Sequence, residues 1–229
     1  MAKRKLVIFP YNGNGIEALD CIDHEVYEVI GFIDDDQGKC SSNHKIFRRS
    51  IIEDYSELLV LAVPGSPSSF RNRNENINSL KLNPDRFITA IHPRASIGRN
   101  VSIGYNCLIM AGVVITSNAI IKNHVCILPN SVIHHDVKVN DYTLIGSNVV
   151  IAGGTSIGKN CYIGSGTNVI NGVQIGDKAL VGLGSNVIRS ISENTTVAGN
   201  PALVLESKNN LHTLPPRAQL EGLEQIPKH

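Results

Sequence analysis

The chain has 229 residues, with 21 basic against 20 acidic side chains and a net charge of +1. That balance offers no electropositive surface for nucleic acid or an anionic membrane, and no apolar run approaches the length of a membrane span. The apolar stretch after the basic start, residues 6–10, is too short for a signal core, and five cysteines (21, 40, 107, 126, 161) without CxxC spacing fit a reducing cytoplasm.

Residues 5–9 (KLVIF) read as a buried strand. Tyr11-Asn12-Gly13-Asn14-Gly15 follows, and residues 16–22 (IEALDCI) are predicted as a helix. Strand, Gly-rich turn and helix together attract phosphate, because backbone N–H groups converge at a helix start. The third Gly of GxGxxG is missing, so a plain tight turn explains the segment equally well. Residues 27–33 (YEVIGFI) predict a second strand ending at Asp34-Asp35-Asp36. Acids placed there can accept hydrogen bonds from a ribose or a base; the competing explanation is a solvated acidic loop. Residues 51–55 begin a helix, and 58–63 (LLVLAV) form a third strand running into Pro64-Gly65-Ser66. Residues 66–80 are predicted helical, with Arg71 and Arg73 near the start, and 87–91 as a fourth strand. Three strands thus end in loops able to meet one ligand. Residues 1–85 read as a nucleotide-sized α/β domain of Rossmann-like type.

From Ile91 to Val187 every sixth residue is Ile or Val. Four places after each stands a small or β-branched residue, such as Cys107, Ser131, Thr143 or Ala179. A fixed short period over a hundred residues means a solenoid, and hexads mean a parallel β-helix. Three hexads close one triangular coil, so residues 18 apart stack about 4.8 Å apart. The usual crossover rule predicts a right-handed coil. This second region spans 86–205, ends in Val197-Ala198-Gly199-Asn200-Pro201-Ala202, and leaves a polar tail, 206–229, with a possible helix at 217–226.

The register also assigns side chains to corners. One edge stacks Ser117-Asn118, His135-Asp136, Gly153-Gly154 and Asn171-Gly172. His135 there can take up a proton, and Asp136 can fix its tautomer. Gly153 and Gly154 leave open space and backbone N–H groups beside the imidazole. His134 should face outward along a flat face, and His124 falls on another corner with Tyr142 and Asn160. His92 lies near the junction; His24, His44, His212 and His229 read as surface residues.

The α/β segment followed by uninterrupted hexads, residues 131–136 (SVIHHD) and the terminal VAGNPA resemble the bacterial nucleotide-sugar acyltransferases of the left-handed β-helix superfamily. Within that superfamily the chain resembles the enzymes that acetylate UDP-4-amino sugars and the sialic-acid O-acetyltransferases. The resemblance implies a left-handed, trimeric, cytoplasmic enzyme of bacterial surface glycan synthesis, with acetyl-CoA as cosubstrate and no metal. It implies His135 as general base with Asp136 as its partner. It implies Gly153, Gly154, Asn171 and Gly172 at the donor, and the sugar nucleotide on Asn12, Gly13, Asn14, Gly15, Asp34, Asp35, Gly65 and Ser66. Two positions depart from that pattern. Leu144 stands where relatives carry a second His, and YNGNG replaces a loop that is richer in glycine.

The expected reaction is N-acetylation of a UDP-linked amino-deoxy sugar, such as UDP-2-acetamido-4-amino-2,4,6-trideoxyhexose. Sugar O-acetylation at the same site, a γ-type carbonic anhydrase and a non-catalytic nucleotide-sugar scaffold are the alternatives. The second needs three converging His ligands for zinc, which the spacing of His92, His124, His134 and His135 does not supply.

Overall fold

The computed structural model describes residues 2–36 and 38–205; the predicted tail at 206–229, with His212 and His229, lies outside them. Four parallel strands open the chain: β1 (Arg4–Phe9), β2 (Tyr27–Ile33), β3 (Ile46–Phe47) and β4 (Leu59–Ala62). They lie in the order β3-β2-β1-β4. β1, an inner strand, is apolar on both faces from residue 6 to 9 because both faces are covered there. Leu6 and Ile8 join a cluster shared with Leu108, Cys126, Leu144 and Tyr162 of the repeats. Val7 and Phe9 face the other way, against Ile51, Ile52 and Ile77.

Three expectations for this region need correction. The helix predicted at 16–22 starts earlier, as α1 (Gly13–Glu17), and passes into a 3-10 turn at Ala18–Cys21. Its start is set by Asn12, whose side chain accepts a hydrogen bond from the Gly15 N–H at 2.8 Å. The helix predicted at 66–80 starts late: 67–69 are turn and Phe70–Asn72 is 3-10 helix before the α-helix begins. Ser66 contacts the hydroxyls of Ser68 and Ser69, as short polar side chains do when they compete with a helix. Regular helix is confined to α3 (Arg73–Asn78), while α2 (Ile51–Asp54) sits where expected. The strand predicted at 87–91 makes only a single bridge from Phe87 to Val60. Its last two residues, Ala90–Ile91, pair instead with Leu108–Ile109 and begin the repeats.

From there the chain is a parallel β-solenoid. Two-residue strands pair in a register of eighteen, as in Val114–Ile115 with Val132–Ile133 and that strand with Val150–Ile151. The aliphatic hexad residues fill the axis, and Ile109, Ile127, Ile133, Ile145 and Ile151 are fully buried. Each contributes roughly 1.5–3 kcal/mol relative to exposure. The small inward residues are satisfied as well as small. Ser131 and Thr143 donate their hydroxyls to the carbonyls of Gly146 and Gly158 at 2.7 and 2.8 Å. The glycine after an aliphatic position is required by close coil approach, since a Cβ on Gly146 would lie 2.5 Å from the Ser165 nitrogen. Near the end the register shortens: Ile191 pairs with Ile175, and the Ser190 hydroxyl accepts the Gln174 N–H at 3.0 Å.

The three faces of the triangle differ. One, carrying Leu108, Cys126, Leu144 and Tyr162, is covered by the N-terminal sheet. The second is polar, with exposed Lys138 and Gln174. The third carries half-buried Val114, Val132, Val150 and Ala152, with Ile170 and Ile188 about half exposed. His135 lies on the edge joining the polar and apolar faces, opposite the covered one.

Candidate active site

The edge predicted from the register forms, with rung hydrogen bonds from Asp136 N to Ser117 O, Gly154 N to His135 O and Gly172 N to Gly153 O. The corner turns through left-handed backbone at Asn118, Asp136, Gly154 and Gly172, a conformation that Asn, Asp and Gly adopt most readily. His135 Nδ1 lies 2.8 Å from Asp136 Oδ2, and both side chains are more than half exposed. Donation from Nδ1–H to the carboxylate leaves Nε2 as the basic nitrogen. Hydrogen bonds from His135 first, then Asn118, hold the Asp136 carboxyl below the usual carboxylate range.

The glycines divide their roles differently from expectation. A Cβ on Gly153 would sit 2.5 Å from His135 Cε1 and 2.6 Å from Nε2, so the imidazole itself fills that space. Gly153 is buried beneath it. The open ground lies at Gly154 and Gly172, where a Cβ would meet nothing within 4 Å. The Gly154 N–H, expected to be free, is already donated to His135 O. Asn171 is exposed on the same edge, and exposed Arg189 follows one register step above it.

The N-terminal loops gather at the carboxyl ends of β1, β2 and β4. Gly13 is exposed, Asn14 half-buried and Gly15 buried, its Cα so close to Pro10 O that a Cβ would lie 2.5 Å away. Asp34 is nearly buried and engaged: Oδ2 accepts from Tyr11 N at 3.0 Å and Lys39 Nζ at 2.9 Å, and Oδ1 from Asp36 N at 2.9 Å. Asp35 is exposed and clasped by Arg49 through both oxygens, at 2.5 and 2.6 Å. A cleft of about 290 Å³ opens here, lined by Asp34, Asp35, Lys39, Arg48 and Arg49 among others. These cations were missed in the sequence because no motif ties them to the acids; Arg49 is 14 residues from Asp35. Gly65 and Ser66 are half-buried, and Gly65 lies over Leu144, its Cβ position 3.2 Å from Leu144 Cδ1. Within one chain, Leu144 and Gly65 therefore belong to the covered face and not to the edge of His135.

His124 has a different setting. It is 3% exposed and stacks on Tyr142 with ring centroids 4.5 Å apart. Its Nδ1 meets Asn106 Nδ2 at 2.8 Å. Arg73, which the sequence places near the start of a helix, opens α3, is wholly buried and donates to the carbonyls of Pro64 and His124. Burial, then Arg73, push the His124 pKa down to about 4. His44, expected on the surface, is half-buried and packs on Phe32 at 5.1 Å. Among the described residues no three His, Cys, Asp or Glu converge to hold a metal, and no helix is long and apolar enough to cross a membrane.

The repeats match the family model of the bacterial transferase hexapeptide at residues 118–153, and that of the hexapeptide repeat of succinyl-transferase at 94–129 and 154–189. No curated protein matches the chain. Among solved structures, the acetyltransferase domain of PglB from Neisseria gonorrhoeae, in complex with acetyl coenzyme A, is 23% identical. The match covers 89% of this chain and 100% of that one, with a TM-score of 0.78. PerB from Caulobacter crescentus, in complex with CoA and GDP-perosamine, is 22% identical over 90% and 99% of the two chains, with a TM-score of 0.76. WeeI from Acinetobacter baumannii is 21% identical over 89% and 100%, with a TM-score of 0.75. The chain therefore carries hexapeptide repeats of the bacterial transferase kind and shares its fold with these three structures. The likeness to hexapeptide-repeat transferases read from the sequence is borne out.

Proposed function

We propose that this protein is an acetyl-CoA-dependent N-acetyltransferase acting on the amino group of a nucleotide-linked amino-deoxy sugar. The observation that carries the proposal is the His135–Asp136 pair on an exposed, glycine-bordered edge of a hexapeptide solenoid. The acceptor class is supported by likeness to PerB, whose structure holds CoA and GDP-perosamine. UDP-2-acetamido-4-amino-2,4,6-trideoxyhexose is the substrate we assign. The domain division at 1–85 and 86–205 then separates acceptor binding from acyl transfer.

The sugar amine attacks the thioester carbonyl carbon. A C–N bond forms and the C–S bond breaks. His135 Nε2 takes a proton from the nitrogen and returns one to the departing thiolate. Asp136 holds Nδ1–H and stabilises the imidazolium. No covalent intermediate is needed, since Cys107, Cys126 and Cys161 are buried with thiols pushed up to about 12, 11 and 11. The extended donor runs along the open corner of Gly154, Asn171 and Gly172, and Arg189 at its top meets the donor's phosphates. Asn12–Gly15 and the cations beside Asp34 and Asp35 serve the acceptor's diphosphate and nucleoside.

A single chain cannot complete this site, because its N-terminal loops cover the face opposite His135. A cytoplasmic trimer answers that geometry. The apolar third face, with Ile170 and Ile188 exposed, adjoins the His135 edge and would bring a neighbour's loops to it. The solenoid in this assembly is left-handed.

The test is mass spectrometry of an incubation with acetyl-CoA and UDP-2-acetamido-4-amino-2,4,6-trideoxyglucose, with thiol release followed in parallel. A product heavier by one acetyl group, as an amide, supports the proposal. An ester product converts it to O-acetylation. Binding of CoA without turnover on any amino sugar overturns it.

A further inference from the structure

The hydrogen bonds at the His135 edge do not stop at Asp136. One coil below, Asn118 Nδ2 donates to Asp136 Oδ1 at 3.1 Å. One coil lower again, Asn100 Nδ2 donates to Asn118 Oδ1 at 3.2 Å. The two carboxylate oxygens are thereby divided: Oδ2 takes the imidazole and Oδ1 takes the amide. We infer that Asn118 is a positioning residue that aims the Asp136 carboxylate at His135, and so selects the histidine tautomer that leaves Nε2 free. The inference rests on the proposed role of His135 as base.

The geometry has a backbone cause. Asn100, Asn118 and Asp136 all occupy the left-handed region, at φ 56°, 61° and 59°. Equivalent backbone, repeated every eighteen residues, projects the three side chains the same way, one above another. The order of residues gives the chain its direction. Only an amide N–H can face an ionised carboxylate, which turns the Asn118 oxygen toward the donor on Asn100. A carboxylate on one bond alone would rotate about its Cβ–Cγ axis in solvent. A second bond to the other oxygen removes that freedom and leaves Oδ2 where Nδ1–H can reach it.

Two substitutions keep the backbone, because both residue types tolerate positive φ. Asn118→Gly removes the amide. Asn118→Asp keeps the shape and puts like charge against Asp136. In the assembled enzyme, kcat should fall about 5-fold for Asn118→Gly and more for Asn118→Asp, with KM for both substrates unchanged. The independent readout is ¹⁵N NMR of the His135 ring in the protein without substrates. Both variants should lose the Nδ1–H tautomer preference of the parent protein. Unchanged ring shifts in both variants would overturn the inference. An inactive parent protein whose ring shifts still respond to Asn118 would sustain the positioning role and remove the proposed reaction instead.

Discussion

The edge carrying His135 and the edge carrying His124 use one backbone device. Each turns through a left-handed residue, Asp136 at φ 59° in one and His124 at φ 60° in the other. What packs against them differs. His135 is 59% exposed, with a carboxylate on Nδ1 and bare glycines along the next coils. His124 is covered by the N-terminal region, has an amide on Nδ1, and has a buried guanidinium bonded to its carbonyl. The first imidazole lies open to solvent and to a molecule bound on that edge. The second is held neutral and ties two regions together. The chemistry of a repeat corner is thus decided by its cover and not by the residue type.

The comparison breaks most directly at His135. His135→Ala should lower kcat about 10³-fold, with thermal melting and assembly unchanged. Near-normal turnover would exclude His135 as the base. On the other edge, Arg73→Met should cost about 3 kcal/mol of stability in urea unfolding, because the carbonyls of Pro64 and His124 lose their buried donor. An unchanged midpoint would mean that this bridge contributes nothing. Gly153→Ala sharpens the contrast. Its methyl would occupy the place of the imidazole, 2.5 Å from Cε1. Turnover should fall about 10²-fold through displacement of His135 alone. A melting temperature that fell in step with activity would point to a packing defect instead.

The two edges were also unequally legible. The eighteen-residue register alone places His135, Asp136, Gly153, Gly154, Asn171 and Gly172 on one edge, because a solenoid turns sequence spacing directly into stacking. The same arithmetic places Asn118 under Asp136; the bond between them needed side-chain torsions that spacing does not carry. The register also put His124 with Tyr142 and Asn160. It was silent about the cover. Leu144 and Arg73 became buried because an irregular α/β segment folds over that face, and its short elements give weak periodic signals. α1 has five residues and β3 two, below the length at which a period can be read. Conversely, the N–H of Gly154 looked free from sequence, since spacing predicts the corner and not the rung bond that consumes it.

The smallest expected effect concerns pH and separates the two histidines without any substrate. In the folded protein the His124 pKa is lowered to about 4 from 6.5, by burial first and then by Arg73, with Asp141 opposing. Between those values the unfolded chain binds a proton at His124 that the folded chain refuses, so unfolding gains from acid. The contribution is fully present above pH 6.5 and is lost as pH falls through about 4, to the order of 2–3 kcal/mol. Protonation would also convert Nδ1 from acceptor to donor against Asn106 Nδ2 and set a second cation beside Arg73. Urea unfolding at pH 7.5 and 4.5 measures the loss. His124→Asn, which keeps the left-handed backbone accessible, should flatten the acid slope, whereas His135→Ala should leave it unaltered. Equal slopes in the parent protein and His124→Asn would assign the acid sensitivity to other groups and erase the distinction between the two edges.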